Sequence, residues 1–417
     1  MEKQINNPKL RFSEFKEEWK KKRLGEIGIT VIDGDRGTNY PNGTDFSDEG
    51  YCLFMNAKNV TKNGFSFIQK SFITKEKDEL LRKGKLQRFD IVITTRGSVG
   101  HISYYDLNVP FEHLRINSGM ALIRTTNEII NSDYLYKYFN SNQIQNEIDK
   151  ISFGSAQPQL TITEIIKLKI SFPTLPEQTK IANFLTAVND KLTQLKKKKS
   201  LLEQYKKGAM QKLFSQELRF KNENGDDFAE WEEKTLGEIA IKITTKNRNN
   251  IVNNVFTNSA SQGIVNQRDF FDKDIANQNN LLNYYVVENN DFVYNPRISN
   301  FAPVGPISRN HLQTGVMSPL YSVFRIIHGN LDFFEVFFST SEWHEYMESI
   351  ANYGARADRM NITSSNFYLM PLPFPCHAEQ TKIANFLSAI DDKINHCGVQ
   401  IEKMEGWKKG LLQKMFV

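Results

Sequence analysis

The feature that most constrains the fold of this chain is a long segment that occurs twice. Residues 177–214 align without a gap with residues 379–416, and half of the paired positions are identical. Both copies open with the same letters, Glu-Gln-Thr-Lys-Ile-Ala-Asn-Phe-Leu. A repeat of this length indicates a protein built from two related halves.

A shorter motif, which we call the lead-in, is repeated at the start of each half. Residues 10–27 contain Leu-Arg-Phe, then Glu-Trp, then Leu-Gly-Glu-Ile, and residues 218–239 contain the same groups in the same order. The intervening stretches, 29–153 and 240–353, differ between the halves. Both consist of short runs rich in Val, Ile, Phe, Tyr and Thr, broken by Gly, Asn and Pro. These runs predict two strand-dominated modules of mixed α/β or α+β type.

The long segments carry apolar residues at spacings that alternate between four and three, and Lys199, Lys206 and Lys408 stand at the interruptions. The apolar positions are Ile181, Leu185, Val188, Leu192, Leu195, Leu202, Ala209 and Leu213, then Ile383, Leu387, Ile390, Ile394, Cys397, Ile401, Met404, Leu411 and Met415. Such a seam predicts two long helices, and two copies in one chain favour an antiparallel intramolecular coiled coil over an intermolecular one. At a rise of about 1.5 Å per residue, each helix is expected to span roughly 57 Å.

Length and composition limit the class of protein. A chain of 417 residues is too long for one ordinary core and fits two domains with connecting elements. Its cysteines, Cys52, Cys376 and Cys397, lie far apart and outside any histidine cluster, which argues against a disulfide framework and a structural zinc site. The polar start and the lack of an apolar run of about 18 residues lead us to expect a cytoplasmic protein that does not enter a membrane.

Catalytic motifs are not evident in the sequence. The glycine-containing stretches lack the spacing of a phosphate-binding loop, and no nucleophile elbow built on serine occurs. Asn295-Pro296-Arg297-Ile298 is the nearest match to a base-methylating Asn-Pro-Pro-aromatic loop, but it has one proline and no aromatic residue. Together these absences favour a binding protein over an enzyme.

The distribution of charge is more informative than the net charge of +5. Residues 191–212 hold eight lysines and a single acidic residue, Glu203. Such a run is typical of a solvated helix face, and attraction to nucleic acid is the alternative.

Loops within the two modules contain residue types that read DNA. Residues 33–40, Asp-Gly-Asp-Arg-Gly-Thr-Asn-Tyr, form either a simple turn or a loop that places donors on base edges. A basic strip from Lys83 to Gly97 is suited to phosphate contacts, and Arg and Asn can pair with guanine and adenine. The predicted DNA contacts are Arg36, Asn39, Tyr40, Lys85, Arg88 and Arg96 in the first module, and Lys246, Arg248, Asn295, Arg297, Arg356 and Arg359 in the second.

The alternation of variable modules with repeated helical segments resembles the specificity subunit of type I restriction-modification systems. The resemblance rests on Leu175-Pro176 followed by the Glu-Gln-Thr-Lys-Ile-Ala motif, and on the second copy of that motif, and it covers nearly the whole chain. The second copy has Cys376-His377-Ala378 in place of the Leu-Pro step. The resemblance implies a first target-recognition domain at 1–173, a spacer helix at 174–215, a second target-recognition domain at 216–375 and a C-terminal spacer helix at 376–417.

The same resemblance implies a subunit that performs no chemistry itself. Each module is expected to read one half of an interrupted site in double-stranded DNA. The helices are expected to set the gap and to dock two methyltransferase subunits, which restriction and translocase subunits then join. S-adenosylmethionine, ATP and magnesium are expected to belong to those partners. The residues assigned to the partner surface are those repeated at the helix starts: Glu177, Gln178, Lys180, Phe184, Glu379, Gln380, Lys382 and Phe386. A coiled-coil scaffold that bridges protein partners is the alternative function.

Overall fold

The computed structural model describes residues 7–126, 128–152, 158–270, 278–352 and 358–417. The chain divides into two compact units. Unit 1 consists of Met1–Lys196 with Val399–Val417, and unit 2 consists of Lys197–Gly398. Each unit therefore contains one variable module and parts of both long helical segments.

Unit 1 is an α+β structure that begins with the lead-in. Its strands are β1 (Lys20–Arg23), β2 (Ile29–Asp33), β3 (Cys52–Met55), β4 (Val60–Thr61), β5 (Gly64–Phe65), β6 (Phe72–Ile73), β7 (Ile91–Thr94), β8 (Ile102–Tyr104), β9 (Leu114–Ile116), β10 (Met120–Thr125) and β11 (Lys169–Phe172). Its helices are α1 (Lys75–Leu80), α2 (Ser132–Phe139), α3 (Asn142–Ser152), α4 (Ile162–Lys167), the first part of α5 (Leu175–Phe214) and the last part of α11 (His377–Lys414).

A four-stranded antiparallel sheet in the order β2-β10-β7-β8 forms the centre of unit 1. Side chains alternate across this sheet, as the pleat requires. Ile91 and Ile93 pack into a cluster with residues of α2 and α3, whereas Val92 packs on the other face with residues of β3 and β9. Residues 90–95 and 120–123, two of the short apolar runs that predict strands, thus supply the two central strands of the sheet.

Unit 2 repeats this plan. Its strands are β12 (Glu232–Thr235), β13 (Ala240–Ile243), β14 (Phe256–Ser259), β15 (Gly263–Asn266), β16 (Tyr285–Val287), β17 (Phe292–Tyr294), β18 (Ile307–Arg309), β19 (Gly315–Met317), β20 (Ser322–Ile326) and β21 (Pro371–Phe374). Its helices are the last part of α5, then α6 (Leu236–Ile239), α7 (Gln267–Phe270), α8 (Leu331–Phe338), α9 (His344–Ile350), α10 (Ser364–Tyr368) and the first part of α11 (His377–Lys414).

The central sheet of unit 2 has the order β13-β20-β17-β18, which is the order found in unit 1. Phe292 and Phe324 pack with the aromatic side chains of α8, and Val293 and Val323 face the opposite side. The antiparallel pairs β1-β11 and β12-β21 are also equivalent, and the other strands differ between the units. Unit 1 adds a sheet in which β3 and β9 are parallel, and unit 2 adds the antiparallel pairs β14-β15 and β16-β19. The framework is therefore duplicated, and the additions are particular to each unit.

The two predicted long helices are present as α5 and α11, and every predicted seam residue is buried or half-buried. Pro176 lies in the first turn of α5, where its missing N–H costs no hydrogen bond. The helices pair in antiparallel fashion within each unit: the ring of Phe184 lies 5.9 Å from that of Trp407 in unit 1, and Tyr205 lies 6.5 Å from Phe386 in unit 2. Among the described residues, no helix combines the length and apolar character needed to span a membrane.

Candidate nucleic-acid interface

One end of each central sheet gathers the loops that differ between the units. In unit 1, β2 and β7 both run antiparallel to β10, so that Asp33 and Thr94 end beside the start of β10. In unit 2, β13 and β17 end in the same way beside the start of β20. We call this the loop end of each sheet. It carries residues 33–40 and 95–100 in unit 1, and residues 244–252 and 295–305 in unit 2.

The 33–40 loop of unit 1 is fixed by a buried carboxylate. Asp35 accepts hydrogen bonds from the backbone N–H groups of Gly37, Arg82 and Lys83, at 2.8, 2.6 and 3.3 Å. Burial alone raises the pKa of Asp35, but these hydrogen bonds outweigh it and hold the pKa at about 2. Gly34 is required in this loop, because a Cβ there would lie 2.1 Å from the carbonyl oxygen of Asn117.

Three predicted DNA-contact residues lie together on this loop. Arg36 is exposed, pairs with Asp33 at 3.0 Å and donates to the carbonyl of Ser118 at 3.2 Å. The hydroxyl of Tyr40 accepts from the Ser118 N–H at 3.4 Å, and its ring packs edge-on against Phe54. Asn39 is exposed and donates to a backbone carbonyl of α1 at 3.4 Å. The loop thus presents an arginine, an amide and a phenol from one ordered surface.

Arg96 follows β7 and reaches the same end of the sheet. Its backbone N–H donates to Gly119, in the turn that also binds Arg36 and Tyr40, at 3.3 Å. Its backbone also forms an isolated bridge with Gln159. The side chain is exposed, and within the described part of the chain its guanidinium has no hydrogen-bond or ion-pair partner. Its donors are therefore available to a ligand.

The other two predicted residues of unit 1 serve internal contacts, and the basic strip predicted from Lys83 to Gly97 is not continuous. Lys85 pairs with the buried Asp78, and this hydrogen bond raises the pKa of Lys85. Arg88 precedes β7 and so lies at the opposite end of that strand from Arg96. It donates to three backbone carbonyls, at 2.6, 3.1 and 3.2 Å, and stacks on Tyr105 at 4.2 Å. These bonds give Arg88 a structural role.

The first loop of unit 2 is fixed by a buried amide. Asn247 donates from Nδ2 to the carbonyl of Val252 at 2.8 Å and accepts from the Val252 N–H at 3.2 Å. This ring of hydrogen bonds leaves the flanking Lys246 and Arg248 exposed. Two predicted cations therefore stand on a rigid loop that matches the position of the 33–40 loop.

The second loop of unit 2 brings Asn295, Arg297 and Arg359 together. Arg297 and Arg359 form a backbone bridge, as Arg96 and Gln159 do in unit 1. Arg297 is exposed and lies 3.5 Å from Asp358. The amide of Asn295 donates to Asn258 at 2.9 Å and accepts from the Arg297 N–H at 3.0 Å, so it orients the loop from within. Arg356 lies outside the described residues.

Sequence reasoning missed two exposed residues at the loop ends. Arg82 lies 3.6 Å from Asp35, and its side chain is 75% exposed. The basic cluster at 82–85 was a signal for it, but the contact to Asp35 was not readable from the sequence. In unit 2, Phe301 is 82% exposed on the 295–305 loop, so most of its apolar ring faces solvent. An exposed aromatic ring beside arginines is typical of surfaces that contact bases.

Four residues assigned to the partner surface are instead buried inside the units. Glu177 binds Arg11 through two hydrogen bonds of 2.7 Å and accepts from the Trp19 indole at 3.3 Å. In unit 2, Glu379 makes the same contacts with Arg219 and Trp231. We call this arrangement the clamp. It joins the lead-in of each half to the start of the long helix at the end of the same half. These carboxylates therefore do not face a partner.

The neighbouring glutamines also bind within their units. Gln178 accepts from the Asn131 N–H at the start of α2 and donates to the carbonyl of Pro173, both at 2.9 Å. Gln380 makes the equivalent bonds to Asn330 and Pro375, both at 2.7 Å. Both glutamine side chains are fully buried. The identity of Glu-Gln in the two copies therefore reflects a shared internal junction.

The other four residues of that prediction remain partly accessible. Lys180 pairs with Glu14, and Lys382 donates to the carbonyl of Lys221 at 2.8 Å. The half-buried rings of Phe184 and Phe386 pack edge-on against the lead-in residues Phe12 and Phe220. These residues cover the outside of the clamp in both units and still present surface to a partner.

Comparison with known families identifies the two halves. The family model described as "Type I restriction modification DNA specificity domain" matches residues 16–204 and again 229–402. The chain is 24% identical over 434 residues to a putative type I restriction enzyme MjaX specificity subunit of Methanocaldococcus jannaschii, covering 98% of this chain and 95% of the relative. The MjaIX specificity subunit of the same organism is 28% identical over 157 residues, which is 36% of this chain and 35% of the relative.

Solved structures support the same fold. The S subunit of a type I restriction-modification system from M. genitalium aligns with a TM-score of 0.57 at 16% identity, and 99% of each chain is covered. The HsdS subunit from Thermoanaerobacter tengcongensis aligns with a TM-score of 0.51 at 16% identity, covering 95% of this chain and 96% of that one. With both halves matched by the family model, the chain belongs to the family of type I restriction-modification DNA specificity proteins and carries two copies of its domain.

Proposed function

We propose that this chain is the DNA-recognition subunit of a type I restriction-modification complex, and that each unit reads one half of an interrupted DNA site. The loop ends of the two sheets give this proposal its strongest support. Two sheets of the same strand order present different sets of exposed cations and amides at the same end. Related frameworks with different loops are suited to two different half-sites.

The exposed groups at the loop ends have the chemistry that base and phosphate contacts need. Arg36, Arg96 and Arg297 offer the planar guanidinium that pairs with guanine or with a phosphate. Asn39 offers an amide, which suits adenine. Lys246 and Arg248 supply charge for the backbone, which positions a protein without reading sequence. We assign specificity to these loops and leave Lys85 and Arg88 a supporting role.

Partners complete the proposed complex. Two methyltransferase subunits dock on the paired helices, and restriction and translocase subunits join through them. S-adenosylmethionine, ATP and magnesium act in those partners, and this chain contributes recognition only. The helices set the gap between the half-sites, and the complex works in the cytoplasm, where it meets DNA. A coiled-coil scaffold without DNA binding accounts for the helices but leaves the two different loop ends without a purpose.

Reconstitution tests the proposal directly. The chain is mixed with its methyltransferase partner, and retained duplexes are selected from a random library. We expect one interrupted site to be enriched, with affinity falling steeply as salt rises because phosphate contacts release counterions. Retention of DNA without any sequence preference, or no retention at low salt, would refute DNA recognition.

The same assay tests the spacing role of the helices. Inserting one heptad at matching positions of α5 and α11 preserves the seam and lengthens the pair by about 10 Å. We expect the enriched half-sites to keep their sequences and move apart. An unchanged gap would show that the helices do not set the spacing, while DNA recognition itself would stand.

A further inference from the structure

Unit 1 contains a basic cleft of about 650 Å³ that the proposed reading loops do not use. It lies between α5, the last part of α11, α2 and the turn that joins β4 to β5. Ammonium groups come from all of these elements. The lysines that line it are Lys62, Lys137, Lys196, Lys408 and Lys409.

Only some of these lysines are neutralised. Lys196 pairs with Glu405 at 2.6 Å, and Lys137 pairs with Asp133 at 3.3 Å. Within the described residues, Lys408 has no acidic partner in an ion pair, although it is half-buried in the cleft. Burial, followed by the charges of Lys137 and Lys196, lowers the pKa of Lys408. The cleft thus holds positive charge that the described acidic residues do not fully balance.

The end of α5 lines a cleft of about 670 Å³ in unit 2, where Lys206 is paired with an acid. The repeat aligns Glu203, Lys206 and Lys207 of this cleft with Glu405, Lys408 and Lys409 of the first. Here Lys206 donates to both carboxylate oxygens of Asp391, at 2.6 and 2.7 Å.

One difference between the repeats accounts for the contrast between Lys206 and Lys408. The residue aligned with Asp391 is Asn189, which lines the same cleft as Lys408. An amide at this position cannot neutralise the ammonium group. The acid that balances Lys206 in unit 2 is therefore missing from the equivalent place in unit 1.

We propose that the cleft of unit 1 is a binding site for a phosphate-bearing anion and that the cleft of unit 2 is not. A compact polyvalent anion can be reached by several ammonium groups from one cleft, and lysine binds phosphate as a point charge. The volume lies in the range of ligand pockets, and the amides of Asn63, Asn140 and Asn189 add neutral donors. The phosphate comes either from a nucleic-acid backbone or from a free phosphate compound.

Calorimetric titration of the full chain tests the site, with inorganic pyrophosphate in one arm and a short duplex of unrelated sequence in the other. We expect Asn189→Asp, which restores the acid found in unit 2, to weaken pyrophosphate binding about tenfold. Lys408→Met should weaken it similarly while keeping the apolar stem. A parallel loss in the duplex arm assigns the phosphate to nucleic acid, and a loss confined to pyrophosphate assigns it to a free compound.

The matched control is Asn183→Asp, which adds the same charge to α5 at an exposed position outside the cleft. We expect it to leave pyrophosphate binding within about twofold of the unmodified chain, because an exposed charge is screened. Equal losses in Asn189→Asp and Asn183→Asp would overturn the proposal, as would the absence of pyrophosphate binding by the unmodified chain. Thermal unfolding of each variant separates a lost site from a lost fold.

Discussion

The two units hold their sheets in the same way but fix their loops differently. The clamp uses the same three residue types in both units, and the sheets have the same strand order. At the loop end, unit 1 relies on the buried carboxylate of Asp35, and unit 2 relies on the buried amide of Asn247. Contacts that support the fold are thus kept between the halves, while contacts that shape the candidate reading surface have diverged.

Breaking the clamp should have the largest effect. Glu177→Ala removes the carboxylate that accepts from the Arg11 guanidinium and the Trp19 indole, and Glu379→Ala does the same in unit 2. We expect each variant to lower the free energy of unfolding of its own unit by about 3–5 kcal/mol. Urea unfolding with hydrogen exchange resolved by unit measures this. Glu402→Ala, at an exposed position on α11, should change it by less than about 0.5 kcal/mol. If either clamp variant destabilised both units equally, the two clamps would not act independently.

Low pH should distinguish the carboxylate that holds the loop of unit 1 from the amide that holds the loop of unit 2. The pKa of Asp35 in the folded state, about 2, lies below its ordinary value of 3.8. The stability contributed by its ionised form is therefore complete above about pH 4 and is lost as pH falls towards 2, by roughly 2 kcal/mol. The stability difference between the unmodified chain and Asp35→Asn should shrink over that interval. Asn247→Ala should lower the free energy of unfolding of unit 2 by the same amount at every pH in this interval. A loss that depends on pH would contradict the contrast between the two loops.

Single arginine changes should separate the half-sites. In the reconstituted complex, Arg36→Ala and Arg297→Ala should each lower DNA affinity about tenfold, as expected when a side chain that contacts a base is lost. Competition with duplexes altered in one half-site should show that each variant has lost base preference at one half-site only. The affected half-site should differ between the two variants. Arg88→Ala is the comparison, because it should lower stability without relaxing sequence preference. If Arg36→Ala relaxed both halves equally, the assignment of one unit to one half-site would fail.

The smallest expected effect concerns the two aligned lysines of the clefts. Lys206→Met removes the partner of Asp391 and should cost unit 2 up to about 1 kcal/mol, because that pair is partly exposed. Lys408→Met removes an unbalanced, half-buried ammonium group and should leave unit 1 as stable or more stable. Denaturant midpoints of the two variants provide the measurement. A larger loss from Lys408→Met than from Lys206→Met would show that the clefts do not differ in the way their charges indicate.

The long helices and central strands were predictable because their signals are local. The alternating spacing from Ile181 to Leu213 marks a helical stripe, and runs such as Ile91–Thr94 mark strands buried on both faces. The roles of Glu177 and Gln178 were not predictable from identity alone, because a shared internal contact and a shared partner leave the same pattern in a repeat. The duplicated lead-in contained the missing clue: Arg11 and Trp19 are repeated because they bind the repeated glutamate.

The candidate site was predictable in part. Gly, Asn and Arg in a loop after a strand indicated residues 33–40 and 295–297, and the sheet topology brings these loops to equivalent ends. Arg88 was assigned to DNA because exposed and internal arginines look alike in a sequence. Its donors go to the carbonyls of Asp106, Val109 and Phe111, which lie far enough along the chain that no local pattern reveals them.

Unit 1 is built from two separate stretches of the chain, and this affects the order in which the two units can fold during synthesis. Leu411, Met415 and Phe416 are buried in the core of unit 1, and the Leu10 N–H donates to the carbonyl of Lys414 at 2.9 Å. Unit 2 is a single continuous stretch that is synthesised before those residues. During synthesis on the ribosome, unit 2 can therefore complete its core first. Unit 1 keeps apolar surface exposed to solvent until residues 399–417 have been synthesised.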